Sequence, residues 1–302
     1  MIKKLREKKP FDLVFGRGFR TESDLAIRLG KRFGIPAAGV GIGSDVNIIT
    51  GYGKRFHEHF IRVATELDVA MATGEGVAEK ISKVTGRTVP VIGGLVDLNK
   101  FSPAADKYSL KKQLGLDTDK MIILFAGHLK ATKGVFELID AFVKVRKHFK
   151  NVILNICGDG AEYGRLKEIV KTRELNKCIY LRGNILPSEM HKWMQVSDIF
   201  VLPSYNEGMP NVVMEAMACG VTVLATIVGG LPAAVGDSKG AILIEPRRSD
   251  QLAATLLRLL SNSDQLKATG RYARETAEAK FCIKQNTARF IEILRHTIAN
   301  YN

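Results

Sequence analysis

Glu207 and Glu215 stand with seven residues between them in the stretch Pro203–Pro232, PSYNEGMPNVVMEAMACGVTVLATIVGGLP. Either carboxylate can accept two hydroxyl hydrogen bonds at once, which suits the vicinal diol of a ribose or a hexose. Between the two acids, Gly208, Met209, Pro210, Asn211 and Val212 lead into a helix, with Pro210 suited to its first position. The N–H groups of residues 208 to 212 would make an anion site there. A second group follows a different strand: Gly127-His128-Leu129 and then Lys133-Gly134. Basic side chains at a strand's C-terminal end, beside a helix start, suit a diphosphate. Acids that read hydroxyls, next to cations and amides that read phosphates, suggest a nucleotide sugar. Taken singly, Glu207 would be a solvated loop acid, Glu215 a surface helix residue and Lys133 a helix-start lysine in water.

The elements that must hold these residues alternate strand and helix. Asp198–Leu202 is apolar enough for a strand buried on both faces, Asn211–Ala218 is a helix ending at Gly220, and Val221–Ala225 is the next strand. Such a strand–loop–helix–strand unit belongs to a parallel sheet, whose ligands bind at the C-terminal ends of the strands. Upstream, Met121–Ala126 is a buried strand, and a helix opened by Lys133-Gly134 runs to His148. Asn151–Ile156 ends at Cys157-Gly158-Asp159-Gly160, which invites a dinucleotide reading. Tyr163 occupies the third glycine position, so that reading fails. Cys178–Leu181 is a strand followed by the loop Gly183-Asn184-Ile185-Leu186, and Ser188 is placed to cap a helix carrying Trp193 and Met194. Ala241–Ile244 is a short strand, Ser249 is placed to cap a helix with Leu252, Leu256, Leu259 and Leu260 on one face, and a last helix covers Lys280–Ala299.

The first third reads similarly. The opening ten residues suggest the end of a basic helix, followed by a strand Phe11–Phe15, a helix Ser23–Phe33 and a strand from Ile35 to Gly41. Gly43-Ser44-Asp45 would be its loop, then a helix His57–Thr65, a strand Asp68–Ala72, a helix Gly76–Lys83 and a short strand Val89–Ile92. The class is α/β. His57 and His59 have the spacing of a metal pair, but with no Cys or third His nearby they read as a solvated helix face.

An acid, seven residues, an acid, then Ala-Met-Ala-x-Gly and a Gly-Gly-x-Pro loop together resemble the donor-site signature of retaining, family-four glycosyltransferases of the GT-B fold. The resemblance implies a pair of Rossmann-like parallel-sheet domains: residues 1–103, 104–278, and a helix over 279–302 crossing back to the N-terminal domain. It implies that Glu207 contacts the donor sugar, Glu215 the ribose and Lys133 the diphosphate, with Glu207 and Lys133 the residues closest to catalysis. His128 stands where the family has an arginine, and an imidazole lacks the guanidinium fork. Gly127 and Gly158 would lie by the donor, and Asn184 and Ile185 along the nucleobase. Ile42 stands where the family often has a histidine. Set against the family, the sequence corresponds to an N-terminal domain lacking its leading strands, with on the order of 80–100 residues expected ahead of Met1. The expectation that follows is weak transfer by this chain alone, with self-association or a partner at the incomplete sheet. The implied reaction moves a hexose from a nucleoside diphosphate sugar to a hydroxyl acceptor with retention, without metal or cofactor, in cell-surface polysaccharide or glycolipid synthesis. The alternatives are a non-catalytic nucleotide-sugar-binding subunit and a GT-B-like epimerase; the acid pattern disfavours the epimerase.

Composition narrows the setting. The 302 residues carry 45 Lys and Arg against 31 Asp and Glu, a net charge of +14, and half of that excess lies in residues 1–62. Such a charge attracts nucleotide phosphates or an acidic membrane face, as a lipid-linked acceptor would require. No nucleic-acid module is recognisable. No apolar run is long enough to span a bilayer and no secretory signal opens the sequence, so the expected setting is the cytoplasm, with contact at the inner membrane face. Cys157, Cys178, Cys219 and Cys282 lack CxxC spacing and read as free thiols.

Overall fold

The computed structural model describes residues 10–47, 53–236 and 239–301; the basic helix expected over residues 1–9 lies outside them. The chain divides into two compact units, residues 1–95 with 283–302, and residues 96–282. These breaks replace the expected ones at 103/104 and 278/279. The reason is local: Val96 N–H donates to Phe281 O at 2.8 Å and Val96 bridges Cys282, so the two crossing segments run as a pair. Phe101, 7% exposed, is thereby part of the second unit's core.

In the first unit, β1 (Val14–Arg17), α1 (Thr21–Phe33), β2 (Ala37–Gly41), α2 (Gly43–Asn47), α3 (Gly53–Glu66), β3 (Val69–Ala72) and α4 (Glu75–Thr85) follow in order. The strands form a parallel sheet ordered β1-β2-β3. One face is covered by Ala26, Ile27, Phe60, Val63 and Ile81 from the helices. Three expectations change here. The strand expected at Phe11–Phe15 sits further along, because pairing runs from Val14 opposite Ala37 to Arg17 opposite Val40. The Gly43-Ser44-Asp45 segment is a short helix, since the N–H groups of Asp45 and Val46 turn back to Ile42 O, and Asp45 accepts a hydrogen bond from Phe19 N at 3.2 Å. Val89–Ile92 makes only a single bridge, Val91 to Ala72, because Pro90 has no N–H to extend a ladder.

The second unit contains α5 (Lys107–Gln113), β4 (Met121–Ala126), one 3₁₀ turn at Ala131–Lys133, α6 (Val135–His148), β5 (Val152–Cys157) and α7 (Tyr163–Thr172). Then come β6 (Ile179–Gly183), α8 (Met190–Gln195), β7 (Ile199–Leu202), α9 (Asn211–Ala218) and β8 (Thr222–Thr226). The unit ends with α10 (Leu231–Val235), β9 (Ala241–Ile244), α11 (Ser249–Ser261) and α12 (Ser263–Lys280). Its six parallel strands are ordered β6-β5-β4-β7-β8-β9. Every residue of β5, β7 and β8 is buried, as expected for strands covered by helices on both faces. Two expected caps are not made: α8 starts after Glu189 rather than Ser188, and Ser249 is already helical, with no side-chain cap at either start. The polar helix α12 had no leucine stripe to announce it. It buries Leu266, Thr269, Gly270, Ala273 and Ala277, and Asn262 caps it through Gln265 N at 2.9 Å. Finally α13 (Ile283–Ala299) belongs to the first unit, where Phe290, Ile293 and Leu294 cover the sheet's other face over Ala38, Val40 and Met71.

Candidate donor-binding site

The strand order of the second sheet reverses between β4 and β7, and at such a point the loops leaving adjacent strands part and open a crevice. The loop after β4 carries His128 and Lys133; the loop after β7 carries Glu207. Backbone pairing joins them, with Tyr205 N–H donating to Thr132 O at 2.8 Å. One residue beyond Thr132, Lys133 Nζ donates to Glu207 Oε1 at 2.7 Å, with the Glu207 side chain 8% exposed and that of Lys133 26%. Two residues 74 apart in the chain thus form one ion pair at the C-terminal edge of the sheet.

Glu207 is fixed from behind as well. A Cβ on Gly229 would come within 1.6 Å of Glu207 O, and Gly230 N–H donates to Gly208 O at 2.7 Å. The Gly-Gly-x-Pro loop is therefore glycine because the Glu207 loop lies directly against it. Pro210 is the residue before α9, not its first residue, and has no N–H; Val213 N–H is used by Pro210 O at 3.1 Å. The anion-facing amides expected across residues 208 to 212 reduce to Gly208, Met209, Asn211 and Val212.

Beside the ion pair lies a cleft of about 610 Å³. Of the residues expected at the donor, Gly127, His128, Gly158, Asn184, Ile185 and Val212 line it. Glycine is required at its base, because a Cβ on Gly158 would lie 1.9 Å from Gly127 O and one on Gly160 2.5 Å from Leu129 O. The Gly-x-Gly that resembled a dinucleotide motif is a packing device joining two strand ends. Lys133, Glu207, Gly208, Met209, Pro210, Asn211 and Glu215 are not among the residues lining the cleft. Glu215 lies half-buried in α9, where burial raises its carboxyl pKa against a smaller opposing pull from Lys100. No described group hydrogen-bonds its side chain.

Residues 106–276, more than half of the chain, match the family described as glycosyl transferases group 1. The chain belongs to the group 1 glycosyl transferases. A protein of Bacillus subtilis (strain 168), named as a teichuronic acid biosynthesis glycosyltransferase, is 31% identical over 217 residues, covering 72% of this chain and 53% of that one. The chain spans about half the length of the curated relatives it matches. Among solved structures, sucrose-phosphate synthase from Thermosynechococcus elongatus superposes with a TM-score of 0.82 at 22% identity, covering 99% of this chain and 76% of that chain. HepE of Anabaena, in complex with UDP, gives 0.84 at 19% identity, covering 98% and 81%. The fold is thus that of GT-B glycosyltransferases.

Cys157, Asp159 and Gly160 of the Gly-x-Gly segment also line the cleft, together with Ala126 and Met190, which the sequence did not single out. Burial pushes the Cys157 thiol up to about 12, so it is neutral and unreactive. Tyr205 reaches Glu137 in the first turn of α6 and is held up at about 12 by burial and by that carboxylate. Pairing of this kind has no sequence signal, because it depends on which strands become neighbours. Among the described residues no group of three or more His, Cys, Asp or Glu gathers as a metal set, and no helix is long and apolar enough to cross a membrane.

Proposed function

We propose that this chain binds a nucleoside diphosphate sugar at the β4/β7 edge and transfers its hexose to a hydroxyl acceptor with retention of configuration. The observation that carries the reading is the Lys133–Glu207 pair, a cation and a carboxylate held at 2.7 Å at the sheet's switch point. In this reading Lys133 and the amides of Gly208, Met209, Asn211 and Val212 stabilise the leaving diphosphate, where negative charge grows in the transition state. Glu207 orients the sugar hydroxyls, and the unpaired carboxyl of Glu215 takes the ribose diol. His128, Gly127, Gly158, Asn184 and Ile185 bound the space for the rest of the nucleotide. Because Lys133 and the amides supply the positive field, binding needs no metal or cofactor.

The UDP carried by HepE supports a nucleotide of this class, and the Bacillus subtilis relative's name supports a place in cell-surface polymer or glycolipid synthesis. A net charge of +14 fits an anionic or lipid-linked acceptor presented at the cytoplasmic membrane face. Titration calorimetry with UDP, GDP and ADP, with and without chelator, tests the donor half. Saturable binding of at least one, unaffected by chelator, is the expected result. No heat from any of them at millimolar concentration would contradict the reading.

A further inference from the structure

The loop that presents Glu207 is tied down more heavily than a connection of its length requires. Thr226 Oγ1 donates to Ser204 O at 2.5 Å, Tyr205 N–H to Thr132 O at 2.8 Å, and Tyr205 Oη to Glu137 Oε1 at 2.5 Å. From the solvent side the Arg247 guanidinium lies 4.6 Å from the centre of the Tyr205 ring. Arg247 does this from φ 61°, a left-handed conformation that a non-glycine residue adopts at a cost. Tyr205 is thus fixed at its backbone, its ring face and its hydroxyl.

Among the described residues, two polar atoms near it find no hydrogen-bond partner: Glu137 Oε2 and Ser204 Oγ, both buried. A loop selected only for stability would replace these groups with apolar ones, since an orphaned buried polar atom is destabilising. The arrangement does supply geometry. Tyr205 and Glu207 are two residues apart in one loop, and their partners Glu137 and Lys133 are four residues apart, spanning the start of α6. One bond fixes the loop and the other holds the carboxylate. The phenol keeps its proton at neutral pH, so it is the donor and Glu137 the acceptor.

We propose that Tyr205, anchored on Glu137, is a positioning residue that sets Glu207 toward the sugar end of the bound donor; this rests on the donor reading above. Tyr205 acts through Glu207 and need not touch the donor. Its signature is therefore a loss of discrimination for the sugar, with the nucleoside diphosphate still held.

The test measures Kd by calorimetry for two matched pairs, UDP with UDP-glucose and GDP with GDP-mannose, on the full chain and on Tyr205→Phe, Glu137→Leu and Glu137→Gln. Tyr205→Phe keeps the ring under Arg247 and removes only the hydroxyl. It and Glu137→Leu are expected to weaken the sugar nucleotide about tenfold while the nucleoside diphosphate changes by less than about twofold. Glu137→Gln keeps an acceptor oxygen for the phenol, and should retain the wild-type ratio of the two Kd values. Should Tyr205→Phe not fold, the Leu-against-Gln contrast at position 137 carries the same comparison. Equal weakening of both members of a pair, or a lower unfolding midpoint with an unchanged ratio, would make Tyr205 a structural residue and overturn the proposal. A wild-type chain that binds none of the four ligands and no ADP would overturn the donor reading itself, and the positioning role with it.

Discussion

In the proposed reading Lys133 and Glu207 each act on the donor, and in the structure they hold each other. A carboxylate only 8% exposed is costly without a partner, and the pairing fixes the orientation of both side chains. Lys133→Ala should destabilise the fold by about 1–3 kcal/mol, because Glu207 is left with one charge and no partner. The figure lies below that for a fully buried pair because the lysine is partly exposed. Adding Glu207→Gln should restore part of that stability without restoring donor binding. Denaturant unfolding of the two single variants and the double variant measures this, and strictly additive losses would contradict the coupling. Glu215 presents the opposite case. Burial raises its pKa, so the folded state holds the proton to higher pH than the unfolded chain does. As pH rises above the ordinary glutamate range the unfolded chain ionises first and the fold loses stability, until the raised value is passed and the loss is complete. Glu215→Gln has no proton to lose. Its unfolding midpoint should gain on the wild type with rising pH, while donor affinity falls. A midpoint difference independent of pH between about 4 and 8 would show that the carboxyl is not being kept from water.

At the scale of elements, the site exists because two strands that are distant in sequence lie side by side and release their loops together. The hydrophobic runs of β4, β5, β7, β8 and β9 were legible in the sequence, and α9 appears over the residues expected, Asn211–Ala218. These elements announce themselves because parallel strands covered by helices are continuous apolar runs, even in the half-buried β9, and the helix is bounded by Pro210 and Gly220. The spacing of the two glutamates and the glycines around Gly158 and Gly229 was legible too, but not the physical reason for the glycines, which is the approach of another loop's backbone. What stayed hidden depends on tertiary neighbours: the Tyr205–Glu137 bond, the helix α12 with its small buried residues, and the failure of Val89–Ile92 to extend beyond one bridge at Pro90. Gly229→Ala tests the loop-on-loop contact. A methyl group cannot fit 1.6 Å from Glu207 O, and φ 59° is itself unfavourable for alanine, so a loss of about 1–3 kcal/mol in stability is expected. Moving the Glu207 loop aside should also weaken the donor by about tenfold or more. Unfolding and nucleotide titration of the variant measure both, and wild-type values for both would mean the loop accommodates the methyl group without moving Glu207.

For the whole molecule, the division of labour follows the division of the chain. Lys133, Glu207, Glu215 and all the residues lining the cleft of about 610 Å³ lie in the unit of residues 96–282, whose core is continuous from Val96 to Phe281. The group 1 match falls inside the same unit. The unit of residues 1–95 and 283–302 has its own two-sided core and contributes none of the donor-site residues argued above. Nucleotide binding should therefore be located wholly in the second unit. Amide hydrogen exchange followed by mass spectrometry, with and without saturating UDP or GDP, examines this directly. Protection is expected in peptides covering Gly127–Gly134, Gly158–Gly160, Asn184–Ile185 and Glu207–Glu215, with residues 10–47 and 53–95 unchanged. Protection confined to the first unit, or none in the peptides that carry Lys133 and Glu207, would contradict the placement of the donor at the β4/β7 edge.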